Sequence, residues 1–262
     1  MRALSKRAGK REERRPSDAD DEARPGIGRR LARLLTASVF LTGLLTAPPA
    51  AALRPADGGG SLAGPEFAVD LAYADHGPAV TSLQRRLVAL GYLPSGGIDG
   101  VFGDQTRDAV VAFQGWERIG RDGLVGPRTR RALRQARAPE PWSPLRRALE
   151  IDLRRQVLLV VERGALRRAV HVSSGAFSAT PVGHFTVVRR MLESWSQPFQ
   201  LWLPYALYFH RGLAIHAFPV VPDRPASHGC IRIPVEDAPF VFRAAPLGTP
   251  VVIRGALHVR GT

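Results

Sequence analysis

The sequence predicts a multidomain protein: a small all-α three-helix domain followed by a mostly-β sandwich or barrel-like domain. Three observations carry this. Apolar residues recur at helical spacing between about Asp75 and Ala136. After a break holding Pro139, Pro141 and Pro144, short apolar or alternating runs take over, with turn residues between them. The chain has 262 residues, 45% hydrophobic and 23% charged, enough to bury one or two cores.

Residues 1–52 read as a leader. A polar, arginine-rich stretch gives way at Leu34 to an apolar run ending at Ala47, then Pro48-Pro49 and Ala50-Ala51-Ala52. A basic region, a short apolar core and small residues at an A-x-A site describe a secretory signal cleaved near Ala52; left uncleaved, it would be a membrane anchor. Arg29-Arg30 fits a twin-arginine signal, but Ala32 stands where a bulky apolar residue belongs. Residues 53–74, with Gly58-Gly59-Gly60-Ser61, read as a flexible tether.

The helical domain spans 75–136. Val80, Leu83, Leu87 and Leu90 mark a first helix over Ala79–Leu90, stopped by Gly91. Asp104 is expected to cap a second, with Ala109, Val110 and Phe113 inward. Pro127 opens a third, carrying Ala132 and Leu133. An internal repeat joins them: the frame Asp-Gly-apolar-x-Gly-x-x-Thr-Arg-x-Ala-apolar occurs from Asp99 and again from Asp122. Each copy is a tight Asp-Gly turn feeding a helix. With Gln84, Leu87, Leu90-Gly91-Tyr92 and Phe113-Gln114, the segment resembles the three-helix type of peptidoglycan-binding domain.

Residues 137–147 read as a linker. Beyond it, strands are expected over Leu149–Leu153, Val157–Val161, Ala169–Ser173, His184–Val188, Leu201–Leu203, Leu213–His216 and Val251–Ile253. Arg163-Gly164 turns between the second and third. A brief helix over Glu236–Arg243 is expected to be broken or bent by Pro239. The unit runs from 148 to 254, and 255–262 form a tail.

The chemistry concentrates in Ser227-His228-Gly229-Cys230-Ile231-Arg232, after His216 at the end of an apolar run. Cys230 is the only cysteine, so no intramolecular disulfide is open to it. No metal-ligand spacing surrounds it. A thiol titrating near about 8.5 is mostly protonated at neutral pH and needs a base. His216, on a strand, can take that proton and return one to a leaving amine. Gly229 allows a tight turn, and the backbone N–H groups of Gly229 and Cys230 can face a developing oxyanion. These parts suit acyl transfer from an amide.

Here the resemblance is specific. Ser174-Gly175, Thr180-Pro181-Val182-Gly183-His184-Phe185, Ala214-Ile215-His216, Ser227 to Arg232 and Gly248-Thr249-Pro250-Val251 are similar to the L,D-transpeptidase catalytic domain of the YkuD type. The resemblance implies Cys230 as nucleophile and His216 as base and acid. It implies that the carbonyl of Ala217, where relatives more often carry glycine, orients the imidazole. Ser227 would steady the loop or the imidazole through its hydroxyl, His228 would touch substrate or wall, and Arg232 would either hold a substrate carboxylate or pin the loop. The implied enzyme is an exported acyltransferase acting as a monomer, without metal or organic cofactor. It would act on peptidoglycan stem peptides and glycan strands and be acylated by carbapenems. Its product is a 3→3 cross-link when an amine accepts. Water as acceptor makes it an L,D-carboxypeptidase, and a carrier-protein amine makes it a protein anchor. A wall-binding pseudoenzyme is the competing reading, against which His216 and Cys230 both stand intact. The net charge of +14 also raises nucleic acid as a partner. The leader and the absence of a nucleic-acid motif oppose that.

Overall fold

The structure is a computed structural model and describes residues 69–255. The leader, the tether as far as residue 68 and the tail beyond 255 lie outside the described residues. Among those described, no helix is long and apolar enough to cross a membrane.

The first unit holds α1 (Pro78–Ala89), α2 (Asp104–Trp116) and α3 (Pro127–Gln135). Pro78 and Pro127 each sit in the first turn, where a missing N–H costs nothing. The cap of α2 differs from expectation. Gly103 is the flanking residue, and Asp104 is the first helical residue, with no capping bond from a side chain at that end. Its carboxylate still favours the positive end of the helix. Tethering also ends sooner than residue 74: Leu71 is buried and pairs with Val125, its amide donating to the Val125 carbonyl and its carbonyl accepting the Val125 amide in return.

The internal repeat is structural. Gln84 is buried; its Nε2 donates to Asp99 Oδ1 at 2.7 Å, Val101 O at 3.0 Å and Thr106 Oγ1 at 3.0 Å, while its Oε1 accepts from the Asp99 and Gly100 amides. Gln114 repeats the pattern on Asp122 Oδ1, Leu124 O, Thr129 Oγ1 and the Gly123 amide. Each glutamine thus clamps one Asp-Gly turn and satisfies its buried polar groups.

The second unit is two sheets. One has strand order β3-β2-β1-β9-β4, from β1 (Arg147–Asp152), β2 (Val157–Glu162), β3 (Ala165–His171), β4 (Gly183–Thr186) and β9 (Pro250–Arg254). The other runs β5-β6-β7-β8, from β5 (Arg189–Ser196), β6 (Leu201–His210), β7 (Leu213–Phe218) and β8 (Ile231–Pro234). Between them lies a core of Leu149, Ile151, Leu158, Val160, Ile215 and Ile231, with Val241 from α4 (Ala238–Ala244). Pro239 occupies the first turn of α4 and so starts that helix; the expected break is absent. β5 and β8 were not expected, and β6 runs to His210, well past Leu203. β5 reads Arg-Arg-Met-Leu-Glu-Ser-Trp-Ser and is largely exposed, so it lacks the apolar alternation that marks a strand.

The two units share an interior. Val157, Leu159, Val161, Ala148 and Ala169 face Leu87, Phe113 and Leu133 in one apolar cluster, while Leu158 and Val160 face the other sheet. This explains why Val157–Val161 is apolar at every position: its sheet is covered on both faces. The joint is close. A Cβ on Gly115 of α2 would stand 2.3 Å from the Arg155 carbonyl. The Ala169 amide donates to Gly91 O at 2.8 Å. Buried Glu150 accepts from the Trp142 and Ser143 amides and from Ser143 Oγ, which ties the connecting segment to β1.

Candidate active site

β7 and β8 run parallel, pairing Ile215 with Ile231 and His216 with Arg232. Paired residues of parallel strands share a face, so His216 and Arg232 stand side by side. Cys230 enters β8 one residue before Ile231. The structure therefore brings Cys230, His216, Ala217 and Arg232 to one pair of strands.

His216 is 3% exposed, and its Nδ1 lies 2.8 Å from the Ala217 carbonyl. A carbonyl only accepts, so Nδ1 carries the proton and Nε2 keeps a lone pair. Burial lowers its pKa to about 4; the Ala217 carbonyl opposes that shift and Arg232 adds to it. Burial pushes the Cys230 thiol up, while the Ala214 backbone and Arg232 pull it back. At neutral pH the pair is a neutral thiol and a neutral imidazole with its basic nitrogen bare. That is a base waiting for an attack-coupled proton, and it differs from a standing thiolate–imidazolium pair.

The cysteine loop is held from below. Ser227 Oγ donates to the Cys230 carbonyl and accepts the Gly229 amide at 3.0 Å. Gly229 has φ +130, and a Cβ there would meet Leu213 Cδ2 at 2.9 Å and Ala179 O at 3.1 Å. Glycine is therefore required twice, by conformation and by space. Because the Gly229 N–H is already engaged by Ser227, it does not stand free in this state. Arg232 donates to Ala226 O at 3.3 Å and lies over the Phe218 ring at 4.2 Å, contacts that pin the loop. His228 is exposed and stacks on Phe199, from the turn between β5 and β6, with ring centroids 4.8 Å apart.

Sequence reasoning passed over part of this frame. Thr180 Oγ1 accepts the Gly175 amide at 2.8 Å and donates to the Gly229 carbonyl at 2.9 Å. Gly175 presses on the same loop: a Cβ there would lie 2.9 Å from Gly229 Cα. Gln156 Nε2 donates to Ser174 Oγ at 2.7 Å, and its Oε1 accepts the Ser174 amide at 2.8 Å. The Ser-Gly and Thr-Pro motif marked the first two of these neighbours; nothing marked Gln156. His171, which carries no motif in the sequence, is 1% exposed and bridges distant segments. It accepts Arg121 Nη2 at 2.9 Å and lies 3.2 Å from the Val221 carbonyl.

Comparison with known proteins agrees with this construction. The family described as L,D-transpeptidase catalytic domain matches residues 146–253, and the putative peptidoglycan binding domain matches 76–133. The L,D-transpeptidase of Xylanimonas cellulosilytica is 34% identical; the similarity covers 70% of this chain and 97% of that one, with a TM-score of 0.63. A probable N-acetylmuramoyl-L-alanine amidase of Bacillus licheniformis is 49% identical over 63 residues, 24% of this chain. The amidase CwlL of the same organism is 45% identical over 58 residues, 22% of this chain. The similarity spans only 18% and 16% of those two proteins. A helical peptidoglycan-binding domain joined to a β-rich domain of the acyltransferase type is the class that fold and matches define. The chain belongs to the L,D-transpeptidase family.

Proposed function

We propose that this protein is an exported peptidoglycan L,D-transpeptidase, working on the cell-wall side of the membrane through a thioester on Cys230. One observation carries the reading most: a buried imidazole, fixed through Nδ1 on the Ala217 carbonyl, on the strand paired with the one that Cys230 enters. In acylation, Cys230 Sγ attacks the carbonyl of the third residue of a donor tetrapeptide stem while His216 Nε2 takes the thiol proton. The tetrahedral oxyanion falls to the Cys230 amide, since the Gly229 amide is held by Ser227. The C–N bond breaks, and the imidazolium returns its proton to the departing D-alanine amine. In the second half, the side-chain amine of a neighbouring stem attacks the thioester, His216 takes a proton from it, and the thiol is restored. The product is a 3→3 cross-link. Burial keeps the His216 ring neutral and so able to accept a proton in each half; the lowered pKa favours release of that proton and weakens the ring as a base.

The helical domain would hold the enzyme on its polymer, with the leader expected to direct export. Carbapenems, which present a strained acyl group, are expected to acylate the same sulfur. The test is incubation with a defined tetrapeptide stem, with products resolved by mass. A cross-linked dimer and free D-alanine support the reading, and a tripeptide with no dimer makes water the acceptor. An unchanged substrate, with no carbapenem adduct on the parent protein, would sink it. Cys230→Ser is expected to lose both adduct and product.

A further inference from the structure

We propose that the cleft between the helical unit and the β1–β2 turn is a binding site for a polyol-phosphate chain, a phosphodiester polymer without bases. Two adjoining hollows of about 400 and 470 Å³ lie there. Arg118 and Arg154 line both; Arg121 borders the first and Arg254 the second. These four residues come from three separate places: the loop after α2, the β1–β2 turn and the end of β9. The Arg121 guanidinium itself turns to His171 and the Val172 carbonyl, so Arg121 forms a wall of the first hollow.

The carboxylate among them is Asp152, and it is already engaged. Its Oδ1 accepts the Arg154 and Arg155 amides at 3.1 Å each, and its Oδ2 accepts Arg254 Nε at 3.1 Å. Arg155 Nε lies 3.8 Å from that same oxygen. Asp152 thus takes its contacts from Arg154, Arg155 and Arg254, while Glu117 also bears on Arg155. The cations feel one another: after burial and the opposing pull of Asp152, Arg118 and Arg254 both bear on Arg155 and make its charge harder to hold. An added anion relieves that repulsion.

Phosphate fits better than carboxylate. Arginines from three segments of the chain border the hollows, and a tetrahedral group offers acceptor oxygens to several of them, whereas a planar carboxylate takes one fork or two. Two hollows sharing a wall suit successive phosphates on a chain. A nucleic acid is disfavoured because the neighbouring rings cannot stack on bases. The Arg155 guanidinium lies over Trp116 at 4.1 Å and that of Arg254 over Trp142 at 3.6 Å, and both indoles pack on the helical core. The site does not depend on the reaction at Cys230.

Titration calorimetry of the full chain with poly(glycerol phosphate), between about 50 and 200 mM salt, tests this. The double variant Arg118→Gln/Arg154→Gln is set against the charge-matched Arg131→Gln/Arg134→Gln on the exposed face of α3. The cleft variant is expected to bind about tenfold more weakly and to lose roughly one unit of salt slope per arginine removed. The α3 variant should stay within about twofold of the parent. Thermal unfolding checks that both fold, and the single exposed Arg118→Gln gives the same direction should the double fail. Equal weakening in both doubles, or none in the cleft variant, overturns the site. Tighter binding of an oligothymidylate with the same number of phosphates overturns the occupant.

Discussion

At the scale of the residue, burial holds His216 neutral and Cys230 protonated. The imidazole titrates at about 4, so acylation is expected to stay flat on acidification to about pH 5 and fall only as the ring gains a proton below that. Carbapenem acylation rate against pH measures it; a midpoint near the ordinary histidine value would contradict the burial argument. Thr180→Val keeps the shape and removes the bonds to Gly175 and Gly229. Two buried backbone groups then lack partners, at a cost of about 1–3 kcal/mol each. Acylation is expected to slow at least tenfold, with Tm reduced. His171 supplies a stability test. Burial, reinforced by Arg121, lowers it to about 3. A histidine depressed in the folded state contributes stability above its unfolded pKa near 6.5 and loses it as pH falls toward the folded value. The parent should therefore lose about 2 kcal/mol between pH 6.5 and 5 that His171→Gln does not, so the gap between the two narrows on acidification. Chemical denaturation at both pH values reads this. That Cys230 and His216 belong to one place in the fold was legible, because a lone thiol in a Ser-His-Gly-Cys frame drew attention to the histidine ending the preceding apolar run. Gln156 was not, because a glutamine in a turn carries no sign of which distant serine it will meet.

At the scale of the element, legibility followed burial, except at β8, which is buried but only four residues long. β1, β2, β7 and β9 lie in cores and announce themselves by aliphatic runs. The β5–β6 hairpin does not, because much of it faces solvent. It holds together through cross-strand pairs instead. Trp195 lies opposite Trp202 with ring centroids 5.3 Å apart, and the buried Ser194 hydroxyl meets the Tyr208 hydroxyl at 2.7 Å. Its tip reaches the cysteine loop through Phe199 on His228. Such pairs contribute about 0.2–1 kcal/mol. Phe199→Ala is thus expected to leave Tm nearly unchanged. On the reading proposed above, it should raise the KM for the stem peptide more than it lowers kcat, which steady-state kinetics separates.

At the scale of the whole molecule, the helical unit covers the outer face of β1–β3, in the sheet that does not carry Cys230 and His216. Leu159 and Val161 are fully buried only because Leu87, Phe113 and Leu133 cover them. Leu159→Ala is expected to cost about 2–5 kcal/mol, as much as Leu158→Ala in the other core. Excising residues 70–136 would bare a continuous apolar face on β1–β3, and the remainder is expected to aggregate, as size-exclusion chromatography would show. The two composition regimes predicted two domains. Their fusion was hidden, because an uninterrupted aliphatic run reads the same whether one neighbour covers it or two.

That double cover has a consequence for how the chain finds its alignment. In an ordinary half-wet strand, sliding by one residue puts oily groups in water, and the error is expelled. Val157 to Val161 offer no such penalty, since odd and even positions are equally greasy. Correct pairing must then be enforced at the two ends: by Gln156, left-handed at φ 53 and latched to Ser174, and by the left-handed Arg163-Gly164 corner. Loosening either latch should yield a population with its neighbours displaced by one notch, as compact as the native form and unable to assemble the loop around Cys230.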